Sequence, residues 1–351
     1  MTLSAWFEPD REAQLLAWLR GLPAGLGLAL DGLHVAASDA SPRRYWRLPL
    51  ADGRSAIVMD APTAHNDLAP FCDVQERLLR AGLSAPMNLA ADPSQGFLLM
   101  TDLGASTYLP ALQAAQAGQG NAESLMRAAI ATLVRLQREG DAEGLPPYDE
   151  ALIRRELQLF PDWCVRREFG QAWDATQQRH WESVCGALVG AFAEQPQVLV
   201  HRDFMPRNLM LPPTEGAAPG VLDFQDAVRG PAGYDIASLL RDAFVSWDEA
   251  QELDWAIRYW EQARKAGIDW DEDFGQVWRR IEWTALQRHL KVLGIFCRLK
   301  HRDGKPAYAE DLPRFFAYAT KTAMRYRELA PLVPLLEALR PGLTAVGVTM
   351  R

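Results

Sequence analysis

The sequence predicts an α+β chain in two lobes, a small β-rich lobe over residues 1–101 and a larger, mostly helical lobe over residues 102–351. Three observations carry that expectation. Strand-like alternation is concentrated before residue 101 and includes an Asp52-Gly53 turn signal. A continuous apolar strand, Phe97–Met100, then leaves through Thr101-Asp102-Leu103-Gly104, a polar, glycine-ended hinge. Beyond the hinge apolar residues recur at helical spacing, apart from short strands that bracket residues 198–224. A chain of 351 residues exceeds one typical domain, which agrees with two lobes.

In order, residues 9–21 carry Leu15, Leu16, Trp18 and Leu19 among charges, an amphipathic helix ended by Gly21 and Pro23. Strands follow at 33–36, 45–48 and 55–59. Residues 69–81 place Phe71, Val74 and Leu78 on one helical face with Gly82 as C-cap. Strands at 87–90 and 97–100 complete the first lobe. Asn121 caps a helix reaching Glu139, residues 150–168 form a helix interrupted near Pro161, and 174–193 form another. After the short strands, Asp235 stands where it would cap a helix starting near Tyr234 and brace the catalytic loop, not touch substrate. Further helices are expected at 247–266, 272–302, 310–329 and 331–339.

Composition excludes several functions. A net charge of −8, with no basic arm or zinc-finger spacing, argues against nucleic-acid binding. The four cysteines are widely spaced without a CxxC pair and read as reduced thiols. The first residues lack a signal-peptide pattern, and no run of about 18 apolar residues is present, so no membrane span is expected. A cytoplasmic protein with no obligate protein partner is the expectation.

The chemistry concentrates in Val198–Phe224, VLVHRDFMPRNLMLPPTEGAAPGVLDF. A strand delivers His201-Arg202-Asp203, Asn208 follows five residues later, and a second strand ends on Asp223. Phosphoryl transfer needs a carboxylate to orient the attacking hydroxyl, oxygen ligands for magnesium, and positive groups around the phosphates. Asp203 is the candidate base, and Asn208 and Asp223 are candidate Mg2+ ligands. Asp226, three residues beyond Asp223, supports the metal ligands from behind or is a turn residue, and is also a substrate candidate. His301-Arg302-Asp303 repeats the tripeptide at a helix end, without the Asn or the Asp-Phe strand, and is expected to be structural.

These residues, HRDFMPRNLM (201–210) and VLDFQDAVRGPAGYDIASLL (221–240), resemble the aminoglycoside phosphotransferase and choline-kinase-like superfamily. The resemblance implies a protein-kinase-like bilobal fold with ATP between the lobes, the adenine meeting backbone atoms of Thr101, Asp102 and Leu103. Strings such as SDASPRRYWRL, LLMTDLG, ELQLFPDW and LQRHLKVLGIFCRLKHRDGKPAY are similar to one branch, the bacterial anomeric kinases of peptidoglycan recycling. That branch implies phosphorylation of N-acetylmuramate or N-acetylglucosamine at the anomeric hydroxyl. Alternatives are an aminoglycoside or amino-alcohol kinase, or a nucleotide-binding pseudokinase.

One departure stands out. Kinase-like folds usually carry a lysine on the third strand, paired with a helix glutamate. That strand here reads Ala56-Ile57-Val58-Met59-Asp60, and Glu76 has no such partner. The loop above, with Ser41, Arg43 and Arg44, reads as a hairpin loop or as a phosphate cover whose arginines replace the lysine. For the acceptor, the basic run from Arg279 to Lys305 reads as a solvated helix face or as a source of sugar contacts through Gln287, Arg288 or Lys291. Glu156, Phe160, Asp162 and Trp163 read as a packing helix or as a second wall with Trp163 stacking on the sugar ring. Arg207 is a further substrate candidate.

Overall fold

The computed structural model describes residues 9–37, 43–64, 67–214 and 216–339. Helix α1 (Pro9–Gly21) precedes the strands β1 (His34–Ala37), β2 (Arg44–Pro49) and β3 (Ser55–Asp60). Helix α2 (Ala69–Arg80) follows, then β4 (Asn88–Asp92) and β5 (Phe97–Thr101). The five strands form one antiparallel sheet in the order β1-β2-β3-β5-β4. Leu15 and Leu19 of α1 pack with Trp46, Leu48, Ala56, Val58, Phe97 and Leu99, alternate residues of three neighbouring strands. Helix α2 ends as its sequence signals. Gly82 takes φ 74°, its N–H reaching the Leu79 carbonyl and that of Leu83 the Leu78 carbonyl.

Beyond the hinge lie α3 (Tyr108–Gln116), α4 (Ala122–Glu139), α5 (Glu150–Leu157) and α6 (Ala175–Ala193). Asn121 caps α4 by accepting the Glu123 N–H, and Asp174 opens α6 in a capping box with Gln177. The break foreseen near Pro161 is a change of winding: Phe160–Glu168 coils as a π-type segment. Four short strands follow, β6 (Gln197–Val200), β7 (Leu209–Met210), β8 (Gly220–Val221) and β9 (Val228–Pro231), pairing as β6 with β9 and β7 with β8. The chain closes with α7 (Gly233–Leu240), α8 (Glu249–Lys265), α9 (Phe274–Asp303), α10 (Leu312–Arg325) and α11 (Leu332–Glu337). Gly294 of α9 lies against the Leu159 backbone, where a Cβ would sit 2.4 Å from the carbonyl carbon.

The chain divides into two compact units, Met1–Pro110 with Arg207–Asp226, and Ala111–Pro206 with Ala227–Arg351. A single cut after residue 101 therefore differs from this division in one informative way. The segment carrying Asn208 and Asp223 groups with the sheet, and the one carrying Asp203 groups with the helices.

Candidate active site

In the helical unit, β6 runs buried into His201, paired antiparallel with β9. Arg202 then takes φ 75°; it and Asp223, at φ 64°, are the two non-glycine residues with positive φ among those described. Such backbone costs energy and persists where neighbours hold it. Asp235 does the holding. It accepts the His201 N–H at 2.7 Å and the Arg202 N–H at 2.9 Å. The expected cap role is corrected here: α7 begins at Gly233, and Asp235 lies inside its first turn with its oxygens turned to the loop. Burial pushes its carboxyl up to about 7, and the two amide donors oppose that rise. His201 is buried, its Nδ1 accepting the Asp203 N–H at 3.3 Å and its ring meeting Phe204 edge-on. Asp203 is left half-exposed on a braced loop.

The Arg202 side chain turns into a buried polar group. Glu156 Oε1 receives Arg202 at 2.5 Å and Lys291 Nζ at 3.0 Å, and Oε2 accepts the Gln287 amide at 3.0 Å and the Tyr148 hydroxyl. Lys291 also reaches the Tyr234 hydroxyl at 3.2 Å. Burial alone would raise the Glu156 pKa; Lys291 and Arg202 outweigh it and hold the carboxyl below its ordinary range. Of the candidate sugar contacts, Glu156 thus braces Arg202, and Gln287 supports Glu156 through its amide.

The rest of the expected sugar wall separates into parts. Phe160 is buried against Trp181 and Trp173, and Asp162 pairs with Arg166 and Gln158, so both serve packing and the local helix. Trp163 stands half-buried on the π-type segment. The basic run is mostly a paired outer face: Arg279 meets Glu328, Arg280 meets Asp271, Lys300 meets Glu168, and Arg302 meets Asp303. Arg288 and Lys291 turn instead toward the loop, Arg288 touching Met205 at 4.0 Å.

In the sheet unit, Asn208 is buried at the entry to β7, its carbonyl accepting the Leu222 N–H at 2.9 Å. The β7–β8 ribbon is tied down where the Val221 N–H reaches the Ser84 carbonyl at 2.7 Å. Gly220 meets Leu103, where a Cβ would stand 2.8 Å from Leu103 Cδ1. The ribbon delivers Asp223 exposed, with Asn208 Nδ2 at 3.4 Å from one carboxylate oxygen and Gln225 Nε2 at 3.0 Å from the other. Phe224 is buried on Phe71 of α2, ring centroids 4.8 Å apart, and the Arg43 guanidinium lies 5.8 Å from the same Phe71 ring. Arg44 stands opposite Asp60 in the sheet register, and Ser41 lies outside the described residues. Arg207 is half-exposed and Asp226 exposed.

The hinge is equally specific. Asp102 takes Arg47 at 2.5 Å, the Ser55 hydroxyl at 2.6 Å and the Gly104 N–H at 2.9 Å. Burial opposes its ionisation, but Arg47 and Ser55 prevail and hold the carboxyl below the usual range. The Thr101 N–H is committed to the Met87 carbonyl at 2.9 Å. Glu76 pairs with Arg80 one turn on and is exposed, which removes it as the acid of a strand ion pair. Asp60, buried at the end of β3, pairs with Arg11.

An amide and a carboxylate are hard oxygen donors suited to magnesium. Among the described residues no three His, Cys, Asp or Glu cluster as a metal cage.

A half-exposed carboxylate on an immobilised loop, followed in sequence by two hard oxygen donors, meets the needs of phosphoryl transfer to a hydroxyl. The fold and site define a kinase-like phosphotransferase. Residues 32–274 match the phosphotransferase enzyme family, and the chain belongs to that family. It is 47% identical over 313 residues, 89% of this chain and 90% of the relative, to an N-acetylmuramate/N-acetylglucosamine kinase of Pseudomonas aeruginosa. It is 46% identical, over 88% of this chain and 90% of the relative, to a protein of the same name from Neisseria meningitidis. An amicoumacin kinase solved in complex with AMP-PNP and Ca2+ shares the fold, with a TM-score of 0.57 at 14% identity over 87% of this chain and 94% of that one. No helix among the described residues is long and apolar enough to cross a membrane.

Proposed function

We propose that this enzyme transfers the γ-phosphoryl group of ATP to the anomeric hydroxyl of an amino sugar, N-acetylmuramate or N-acetylglucosamine, in the cytoplasm during cell-wall recycling. The observation that carries the reading is 47% identity, across 89% of this chain, to a kinase named for those two sugars. Asp203 orients the sugar hydroxyl and takes its proton as the O–P bond forms. Asn208 and Asp223 hold Mg2+, which when bound neutralises charge on the phosphates. Arg43, carried against Phe71, and its neighbour Arg44 supply the positive charge that the third strand lacks. The backbone at Asp102 and Leu103 receives the adenine.

The test is a panel of N-acetylmuramate, N-acetylglucosamine, choline and an aminoglycoside with ATP and Mg2+, the new phosphate being located by phosphorus NMR. Turnover of the two sugars to 1-phosphates is expected. A phosphate on any other hydroxyl, or turnover of choline or the aminoglycoside alone, overturns the proposal. Replacing Arg43 and Arg44 singly by Ala should raise KM for ATP in at least one variant; two unchanged values reject the arginine assignment.

A further inference from the structure

Three cations of the helical unit gather around the loop that carries Asp203, and they are not equivalent. Arg202 and Lys291 share one carboxylate, Glu156, at 2.5 and 3.0 Å. Arg288 lies three residues before Lys291, on the same side of α9. It is 4% exposed. Its one hydrogen-bond contact is the thioether of Met205, at 4.0 Å. No carboxylate among the described residues lies within ion-pair distance of it. Asp235, whose carboxylate feels the Arg288 charge without a direct contact, already uses its oxygens for the His201 and Arg202 amides.

A thioether is a weak acceptor, and a guanidinium withdrawn from water without a counter-ion is costly. Such a group is retained where a ligand completes it. Met205 stands two residues after Asp203, so a ligand at Arg288 also meets the loop bearing the base.

We infer that Arg288 receives the carboxylate of an acidic acceptor, and that this contact sets the enzyme's preference between an acidic and a neutral amino sugar. The inference rests on the amino-sugar reading above. Of the two sugars, N-acetylmuramate carries a lactyl carboxylate and N-acetylglucosamine does not. The planar guanidinium fork matches a carboxylate with two parallel hydrogen bonds. Gln287 and Lys291 do not take this part, because Glu156 already engages both.

The experiment measures kcat/KM for N-acetylmuramate and for its methyl ester, in which the charge is masked. Wild type should prefer the acid by about 10- to 100-fold, the range for a charged hydrogen bond. In Arg288→Met that acid-to-ester ratio should collapse toward unity, while Arg288→Lys keeps an intermediate ratio. An undiminished ratio in Arg288→Met overturns the inference. So does a parallel loss on acid and ester accompanied by a raised KM for ATP, which would make Arg288 a phosphate ligand. If Arg288→Met fails to fold, the ratio in Arg288→Lys decides: a value equal to wild type for both substrates rejects the contact. A wild type that phosphorylates neither the acid, its ester nor N-acetylglucosamine would instead reject the parent reading.

Discussion

His201-Arg202-Asp203 and His301-Arg302-Asp303 are one tripeptide in two physical settings. The second closes α9. Arg302 binds Asp303 side-on, at 2.6 and 2.9 Å, and Gly304 ends the helix at φ 66°. His301 meets Glu168 at 2.6 Å. All three side chains work on the outer face of one helix. The first tripeptide follows a buried strand instead. Its arginine is kinked to φ 75°, its backbone is fixed by Asp235, and its guanidinium reaches inward to Glu156. The difference teaches that identity of side chains matters less than the two acids, Asp235 and Glu156, that pin one copy from elsewhere in the chain.

The sharpest way to break this comparison is to remove the same atom from both copies. Asp203→Asn should lower kcat by about 10²- to 10⁴-fold while nucleotide still binds, the range a general base contributes. Asp303→Asn should leave kcat within about twofold, as expected of a paired surface carboxylate. Comparable losses in the two variants, measured by steady-state kinetics and nucleotide calorimetry, would end the assignment of Asp203.

The second test asks what Asn208 and Asp223 add to the first copy and the second lacks. Asp223→Asn removes one negative charge from the oxygen pair. It should cost about 10²- to 10³-fold in kcat and raise the Mg2+ concentration for half-maximal rate. An unchanged metal requirement would separate Asp223 from the cation.

The third acts on the brace. Asp235→Ala leaves two buried N–H groups without an acceptor and frees the kink at Arg202. Stability should fall by about 1–3 kcal/mol. As displacement of a catalytic group by about 1 Å costs roughly 100-fold, kcat should fall by about 10- to 100-fold. Asp235→Asn keeps one acceptor oxygen and should recover part of both losses. A loss of stability with full kcat would make Asp235 a purely structural residue.

Much of this architecture was legible in the sequence because it depends on local rules. The Asn121 cap, the Gly82 helix end and the Asp-Gly turn are short-range signals, and each element appears where those signals place it. The spacing from Asp203 to Asn208 and the strand before Asp223 were visible for the same reason. What was not visible depends on distant residues. Nothing in the neighbourhood of Glu156 indicates that Arg202, 46 positions away, and Lys291 converge on it. Its place near a helix start marks Asp235 as a cap and a brace for the catalytic loop; it is only the brace, and the two amides it holds, 33 and 34 residues upstream, are what local pattern does not specify. The grouping of Arg207–Asp226 with the sheet rests on β7–β8 and its tie to Ser84, contacts that no periodicity encodes. Arg288 was legible as a candidate sugar contact, since no acid three or four residues away could balance it; which of Gln287, Arg288 and Lys291 is left without an acidic partner was not.

The smallest expected effect concerns the second tripeptide alone. Glu168 is largely buried and takes Lys300 at 2.6 Å on one oxygen and His301 at 2.6 Å on the other. Burial would raise its pKa, but those two partners prevail and hold the carboxyl below its ordinary value. A group depressed in the folded state contributes stability in full above its unfolded pKa and loses it as pH falls through the folded value. Glu168→Gln should therefore lower Tm by roughly 1–3 °C at neutral pH. The gap from wild type should hold above the ordinary glutamate range, about pH 4–5, and narrow only as pH falls below it, through the lowered folded value. Because this tie fixes a helix end and not a catalytic loop, kcat should not change. A drop in kcat matching that of Asp235→Ala would mean that the two tripeptides are not as separate as their surroundings make them.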